Sequence, residues 1–208
     1  MIGQPSSRAP KPAAAEDAPR WAPGDPLRLG TRRFILRSMT RRDATPEFLR
    51  WHADPEVQRG HNLPLRRMSR QQALRSLARA DNRTVFYLMI AAPVAAHPVG
   101  FYAVRADPRD LWAEITVTIG NRDFRRKGVF SETAPPLCAF LFEHLGMHKI
   151  IARIHARNTA SIRAFEKAGF TREAVLREQL ASVADGTRLD QLIFALWRPE
   201  GSGREPAP

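Results

Sequence analysis

Apolar and polar positions change period several times along the chain. "RFILRSM" (33–39) is an apolar, partly β-branched run of strand length, followed by Thr40, a residue able to cap a helix, and by Phe48, Leu49 and Trp51 on one helical face. A looser helical region continues to about Ala80, with Leu74 and Leu77 three apart and Pro64 marking a break. Then come three strand-like runs, "TVFYLMIAA" (84–92), "PVGFYAVRA" (98–106) and "WAEITVTIG" (112–120), separated by proline and aspartate turns, a spacing that predicts a three-strand meander. "PPLCAFLFEHLG" (135–146) has a helical pattern, "KIIARIHA" (149–156) a strand pattern, and "TASIRAFEKAG" (159–169) reads as a short helix ended by Gly169. The last apolar region divides at Asp185-Gly186, a hairpin signal. The order is β-α-α-β-β-β-α-β-α-β-β, an α/β (α+β) domain with a mainly antiparallel sheet and one crossover, between 112–120 and 149–156.

Composition sets the limits of that domain. Residues 1–26 hold six of the seventeen prolines with little apolar bulk, and 199–208 have the same character. Both are expected to be flexible, leaving 27–198 as the folded unit. The formal charge is +12, but its arginines are scattered along the chain, which favours a solvated basic surface over a dedicated nucleic-acid face. Cys138 is the sole cysteine, so no intrachain disulfide forms, and no apolar run reaches the length of a membrane span or a secretory signal. These features point to a cytoplasmic protein without a membrane partner. The six histidines show no metal-ligand spacing, and no metal is expected.

One short stretch stands out, "NRDFRRKGVFSET" (121–133), where three bases run into a glycine between a strand and a helix. The first N–H groups of a helix have no internal partner and attract an anion, and a glycine lets the backbone approach it closely. Neither a Walker loop nor a G-x-G-x-x-G fingerprint is present. On its own the motif fits an exposed turn as well as an anion cradle.

Four segments, read together, resemble the GNAT superfamily of acyl-CoA-dependent N-acyltransferases, in its RimJ/RimL-like branch. They are "SMTRRDATPEFLRWHADPEV" (38–57), "AEITVTIGNRDFRRKGVFSET" (113–133), "NTASIRAFEKAGF" (158–170) and "GTRLDQLIFAL" (186–196), spanning most of the chain. The resemblance implies a GNAT-like, mainly antiparallel sheet of about seven strands flanked by about four helices. It also implies acetyl-CoA as acyl donor and a primary amine as acceptor: a protein N-terminal α-amine, or a small amine such as a polyamine, amino acid or antibiotic. Backbone groups of Val117, Thr118 and Ile119 would pair with pantetheine amides. The N–H groups of Arg125, Arg126, Lys127, Gly128, Val129 and Phe130 would hold the pyrophosphate, with charge from the three bases. Asn158 and Ser161 would contact the pantetheine arm. A homodimer is expected from relatives, and nucleic acid only in a ribosomal context.

Amide formation from a thioester needs a neutral amine in line, a proton acceptor and a donor for the leaving thiolate. By the resemblance Glu114 is the expected base, with Glu178 and Asp190 as secondary candidates. Alternation places Glu114 on one face with Thr116 and Thr118. Many relatives carry a tyrosine as thiolate donor where this chain has Phe165, which leaves Ser161 for that role. Two departures bear on geometry. Phe130 stands where Gly or Ala is usual, and Pro135-Pro136 are expected to kink or restart the following helix. Trp51, His52 and the loop "RGHNLPLRRMS" (59–69) are candidates for the acceptor side or for packing. Two alternatives stand beside the transferase: a nucleic-acid-binding module, and a non-catalytic acyl-CoA-binding sensor.

Overall fold

The computed structural model describes residues 21–93 and 97–200; the expectations for residues 1–20 and 201–208 lie outside the described residues. Among the described residues the chain forms eight strands and five α-helices. The N-terminal half comprises β1 (Arg28–Gly30), β2 (Ile35–Ser38), α1 (Pro46–His52), α2 (Pro55–Gly60), α3 (Arg70–Leu77), β3 (Val85–Ala92), β4 (His97–Asp107) and β5 (Trp112–Thr118). After α4 (Val129–Glu143) come β6 (Lys149–His155), α5 (Thr159–Lys167), β7 (Thr171–Ala181) and β8 (Arg188–Trp197). All strands join one sheet in the order β1-β2-β3-β4-β5-β6-β8-β7, antiparallel throughout except for β5 beside β6. The expected meander is β3-β4-β5, the crossover is α4, and the Asp185-Gly186 hairpin joins β7 to β8.

Period-2 alternation distributes the apolar side chains over both faces of the sheet. Leu36, Leu88, Tyr102, Ile115, Ile150 and Phe194 pack with α4 and with Phe165 of α5. On the other face Met89, Ala91 and Phe101 pack with Phe48 and Trp51 of α1 and with Ala73 and Leu77 of α3. Thr40 caps a 3-10 turn, Arg41–Asp43, rather than the helix itself; α1 starts one turn later on Thr45, whose hydroxyl accepts from Phe48 N at 3.2 Å, with Pro46 in its first turn.

Three expectations are corrected. β1 is an additional strand, three residues long, paired to β2. Trp21–Pro26, read as part of the extension, packs onto the domain: Trp21 lies edge-on to Phe140 at 4.8 Å, and Gly24 N donates to Asn82 O. One half-buried indole supplies the apolar contact that the surrounding prolines lack. The third correction concerns Pro135 and Pro136, which do not restart the helix, because α4 runs continuously from Val129 through both. The carbonyls they leave without an i+4 donor are those of Ser131, which is exposed, and Glu132, which is half-buried. Water can reach that side, while Leu137, Cys138, Phe140 and Leu141 on the opposite side are buried in the core.

One buried polar pair fixes α4 to the sheet. The Thr133 hydroxyl donates to Val129 O at 2.8 Å, so the fully buried Tyr102 phenol must donate to Thr133 Oγ1, also at 2.8 Å. Thr133→Val should therefore cost about 1–3 kcal/mol in a denaturant melt, the penalty of an unsatisfied buried hydroxyl. Adding Tyr102→Phe should recover part of that loss; strictly additive losses would show that the bond contributes nothing.

Candidate active site

β5 and β6 are paired over only three positions, Trp112, Ala113 and Glu114 against Lys149, Ile150 and Ile151. Beyond them the strands part, leaving the remaining edge of β5 without a strand partner, a row of amide groups open to an extended ligand. A cavity of about 530 Å³ lies in this fork, of the size range of small-molecule sites. Val117, Thr118 and Ile119 form one wall, Asn158, Ser161 and Phe165 the other, and Gly128, Val129 and Phe130 the end.

The end wall is the start of α4. Gly128 is its cap with φ 73°, a left-handed conformation that a side chain disfavours, and it provides no side-chain hydrogen bond to the first turn. Arg126 is also left-handed, at φ 60°. Backbone N–H groups in such a turn form an anion-binding concavity, and the helix terminus adds its partial positive charge. Glu132 in the first turn faces away from this anion-binding concavity: its carboxylate accepts from Thr31 Oγ1, Arg33 N and Arg33 Nε at 2.6–2.8 Å.

The three bases separate in role. Arg125 lines the cavity, but its guanidinium is engaged: Nε donates to Ile119 O (3.1 Å), Nη1 to Glu56 (2.5 Å), and Nη2 to Asp54 (2.8 Å) and Gly120 O (3.0 Å). It ties the turn to the first turn of α2. Arg126 lines the cavity, is exposed and has no partner among the described residues. Lys127 lies off the cavity wall; its carbonyl accepts from Arg33 Nη2 at 3.1 Å.

Asn158 caps α5, its Oδ1 accepting from Ser161 N at 3.1 Å, while its Nδ2 donates to Gly60 O at 2.7 Å. This link holds the end of α2 across the fork. The two departures seen in sequence are one contact in space, since the Phe130 and Phe165 rings meet at 4.4 Å, tilted by 39°, and are both buried. A larger residue in the helix start fills the space beside a ring that has no hydroxyl, and the cavity floor there is apolar.

Glu114 shares its face with Thr116 and Thr118 through their pairing with Arg105, Ala103 and Phe101. It lies outside the cavity wall, however, and Arg105 and Arg153 hold its carboxylate at 3.3 and 3.4 Å. Four residues of strand separate it from Thr118, about 13 Å. Asp190 and Glu178 are also remote from the wall: Asp190 Oδ1 accepts from Glu178 N at 2.8 Å, where Glu178 has φ 49° and the β7–β8 register shifts. Their role is to hold an irregular strand.

The feature that sequence reasoning missed is His61, which closes α2 and lines the cavity with its Nε2 2.9 Å from Thr118 Oγ1. The only signal was its place in a loop considered for the acceptor side. A second cavity, about 260 Å³ between α4, α5 and the end of β8, is lined mainly by apolar groups. Its Cys138 thiol is pushed up to about 12 by burial, so it stays protonated. No group of His, Cys, Asp and Glu able to hold a metal occurs among the described residues, nor does a helix long and apolar enough to cross a membrane.

Comparison with known proteins agrees with this architecture. The chain is 31% identical over 74 residues to the probable N-acetyltransferase YjcK of Bacillus subtilis (strain 168); the matched stretch is 36% of this chain and spans less than half, 40%, of that relative. The fold superimposes with a TM-score of 0.71 on spermidine N-acetyltransferase from Vibrio cholerae in complex with CoA and spermine, at 15% identity over 79% of this chain and 95% of that one. Ribosomal-protein-S5-alanine acetyltransferase from Vibrio fischeri gives 0.70 at 14% identity, over 83% and 100% of the two chains. Identities this low establish a common fold. Residues 33–171, well over half of the chain, match the family model of the acetyltransferase (GNAT) domain, and the protein belongs to that family.

Proposed function

We propose that the protein is an N-acetyltransferase that transfers the acetyl group of acetyl-CoA to a primary amine, by direct attack of the amine within a ternary complex. The observation that carries this reading is the fork between β5 and β6, with its unpaired β5 edge ending on a helix start that has no side-chain cap. The unpaired edge fits a pantetheine arm with its two amides, and the turn Arg125–Phe130 fits a pyrophosphate, Arg126 and Lys127 adding positive charge. Acetyl-CoA supplies an activated thioester. The protein positions the amine, excludes water and moves protons. Ser161 lines the wall opposite Thr118, which supports a role for its hydroxyl as proton donor to the departing thiolate.

The acceptor side favours a peptide α-amine over a polyamine, in line with a RimJ/RimL-like role. The 59–69 loop, the candidate for that side, carries the exposed Arg59, Arg66 and Arg67, and like charges lower the encounter rate of a polycation. The nearby acids Asp54, Glu56 and Glu114 are all paired with arginines. Two measurements test the reading. Millimolar acetyl-CoA should raise the melting temperature by several degrees through preferential binding to the folded state. Gly128→Pro should abolish that shift, because proline requires φ near −65° at a position held at 73°. Free thiol should then be released fastest with tetrapeptides bearing a free N-terminal alanine or serine, more slowly with spermine or kanamycin. A shift without thiol release from any of these would favour an acyl-CoA sensor; salt-dependent RNA retention without a shift would favour a nucleic-acid module.

A further inference from the structure

Acyl transfer to an amine needs a base near the attacking nitrogen, and the carboxylates around this cavity are committed elsewhere. Glu56, the only acid lining it among the described residues, is bound to Arg125, and Glu114 lies outside it between Arg105 and Arg153. What the wall does present is an imidazole. It is His61, at the end of α2, and two further histidines from other elements, His52 of α1 and His155 of β6, act on it electrostatically.

Their nitrogens are not equivalent. His155 Nε2 must donate, because its partners at 3.1 Å are the carbonyls of Arg59 and Gly60; its Nδ1 is buried without a partner. His52 Nε2 is likewise sealed and unpartnered, its ring edge-on to Phe48 at 4.9 Å. His61 differs, with Nε2 held by Thr118 Oγ1 at 2.9 Å and an Nδ1 that has no protein partner among the described residues yet is not among the sealed atoms. It is the one imidazole of the three that both lines the cavity and keeps a nitrogen free for a ligand.

We propose that His61 is the proton acceptor of the reaction, with Nε2–H fixed on Thr118 Oγ1 and the Nδ1 lone pair taking the proton of the attacking amine. The proposal rests on the acyl-transfer reading above. As the amine nitrogen bonds to the thioester carbon, one N–H proton passes to His61 Nδ1 and the C–S bond breaks. The thiolate gains a proton from Ser161, and solvent restores Ser161 and accepts the proton from His61, so an amine and a thioester become an amide and a thiol. Burial first, then His52 and His155, hold His61 below the usual imidazole range, so the ring is in its base form at neutral pH. Among the described residues, the other charged groups on the cavity are Arg126, Arg163 and Lys167, which are cationic and act in the same direction, and Glu56, whose opposing charge is offset by its ion pair with Arg125.

Side-chain nitrogen NMR of the uniformly ¹⁵N-labelled full chain tests the base without any acceptor. His61 should be the Nε2–H tautomer at neutral pH and titrate below about 6.5; an Nδ1–H tautomer overturns the proposal. With the fastest peptide of the panel, log(kcat/KM) should rise with slope two below the His61 pKa, where amine and imidazole both lose protons, and slope one above it. His61→Gln should lower kcat by about 100-fold or more and reduce the slope to one throughout, with acetyl-CoA affinity within about twofold. His61→Gly should regain part of its rate with tens of millimolar imidazole, an effect that a merely structural role would not give. A His61→Gln enzyme within about threefold of the parent, or one that keeps the slope of two, overturns the assignment. Failure of the unsubstituted protein to bind acetyl-CoA overturns the transferase reading itself, whatever the tautomer.

Discussion

Gly100→Ala is expected to destabilise the protein by about 3 kcal/mol or more and to remove its stabilisation by acetyl-CoA, although Gly100 touches neither the cavity nor a charged group. Gly100 lies in β4 where β5 leaves it, one residue before the last β4–β5 pair, Phe101 with Thr118. A Cβ there would press into the Thr118 carbonyl oxygen and lie 3.0 Å from Ile119 Cα and 3.1 Å from Thr118 C. These are backbone atoms in the middle of a sheet, so no rotamer change relieves the overlap and the strand itself must move. The displaced segment is the cavity wall, and it includes the residue that holds His61. A loss of about 3 kcal/mol lowers the melting temperature of a domain of this size by roughly 10 °C. A variant melting within about 2 °C of the parent, or one still stabilised by acetyl-CoA, would show that β5 leaves β4 without this close approach.

The meander, the crossover and the terminal hairpin were legible in the sequence because period and turn residues are local signals. "TVFYLMIAA", "PVGFYAVRA" and "WAEITVTIG" each name a strand, and each lies within a residue or two of β3, β4 and β5. β1 was not legible, since a run of three residues is too short for its alternation to stand out. Pro135-Pro136 misled for a different reason. A proline pair is a strong local stop, but α4 is buried along one whole side, and packing outweighs a local cost that falls on the solvent side. At the site, the glycine turn between a strand and a helix was readable from local sequence. The His61–Thr118 pair and the Arg125–Asp54 pair join residues 57 and 71 positions apart, and no periodicity records such contacts. The same limit applies to Phe130 and Phe165, two separate departures in sequence that touch each other in the fold.

Arg125 and Arg126, adjacent and identical in sequence, should separate cleanly on substitution. Arg125→Ala removes donors from two backbone carbonyls and two carboxylates, and both its guanidinium and the Asp54 carboxylate are largely buried, at 15% and 10% side-chain exposure. Asp54 keeps Arg122, which is 72% exposed, and the Glu56 N–H, so the expected loss is about 2–3 kcal/mol, somewhat less than for a fully orphaned buried charge. The loss should appear without any ligand, as a fall of roughly 6–8 °C in melting temperature. Its pH dependence has a definite sign. Burial tends to raise the Asp54 carboxyl, but hydrogen bonds from Arg122, Arg125 and Glu56 N outweigh it and hold the group well below the usual carboxylate range. A depressed carboxyl stabilises the fold above its unfolded pKa of about 3.9 and loses that contribution as pH falls below it. The gap between parent and Arg125→Ala should therefore be constant above about pH 5 and shrink below pH 4. Arg126→Ala should leave the unliganded melting temperature unchanged and weaken acetyl-CoA about tenfold, roughly 1.4 kcal/mol, with a loss that diminishes in high salt. The reverse pattern, a stable Arg125→Ala with lost binding and an unstable Arg126→Ala, would mean that the guanidinium on Asp54 turns to the ligand when acetyl-CoA arrives.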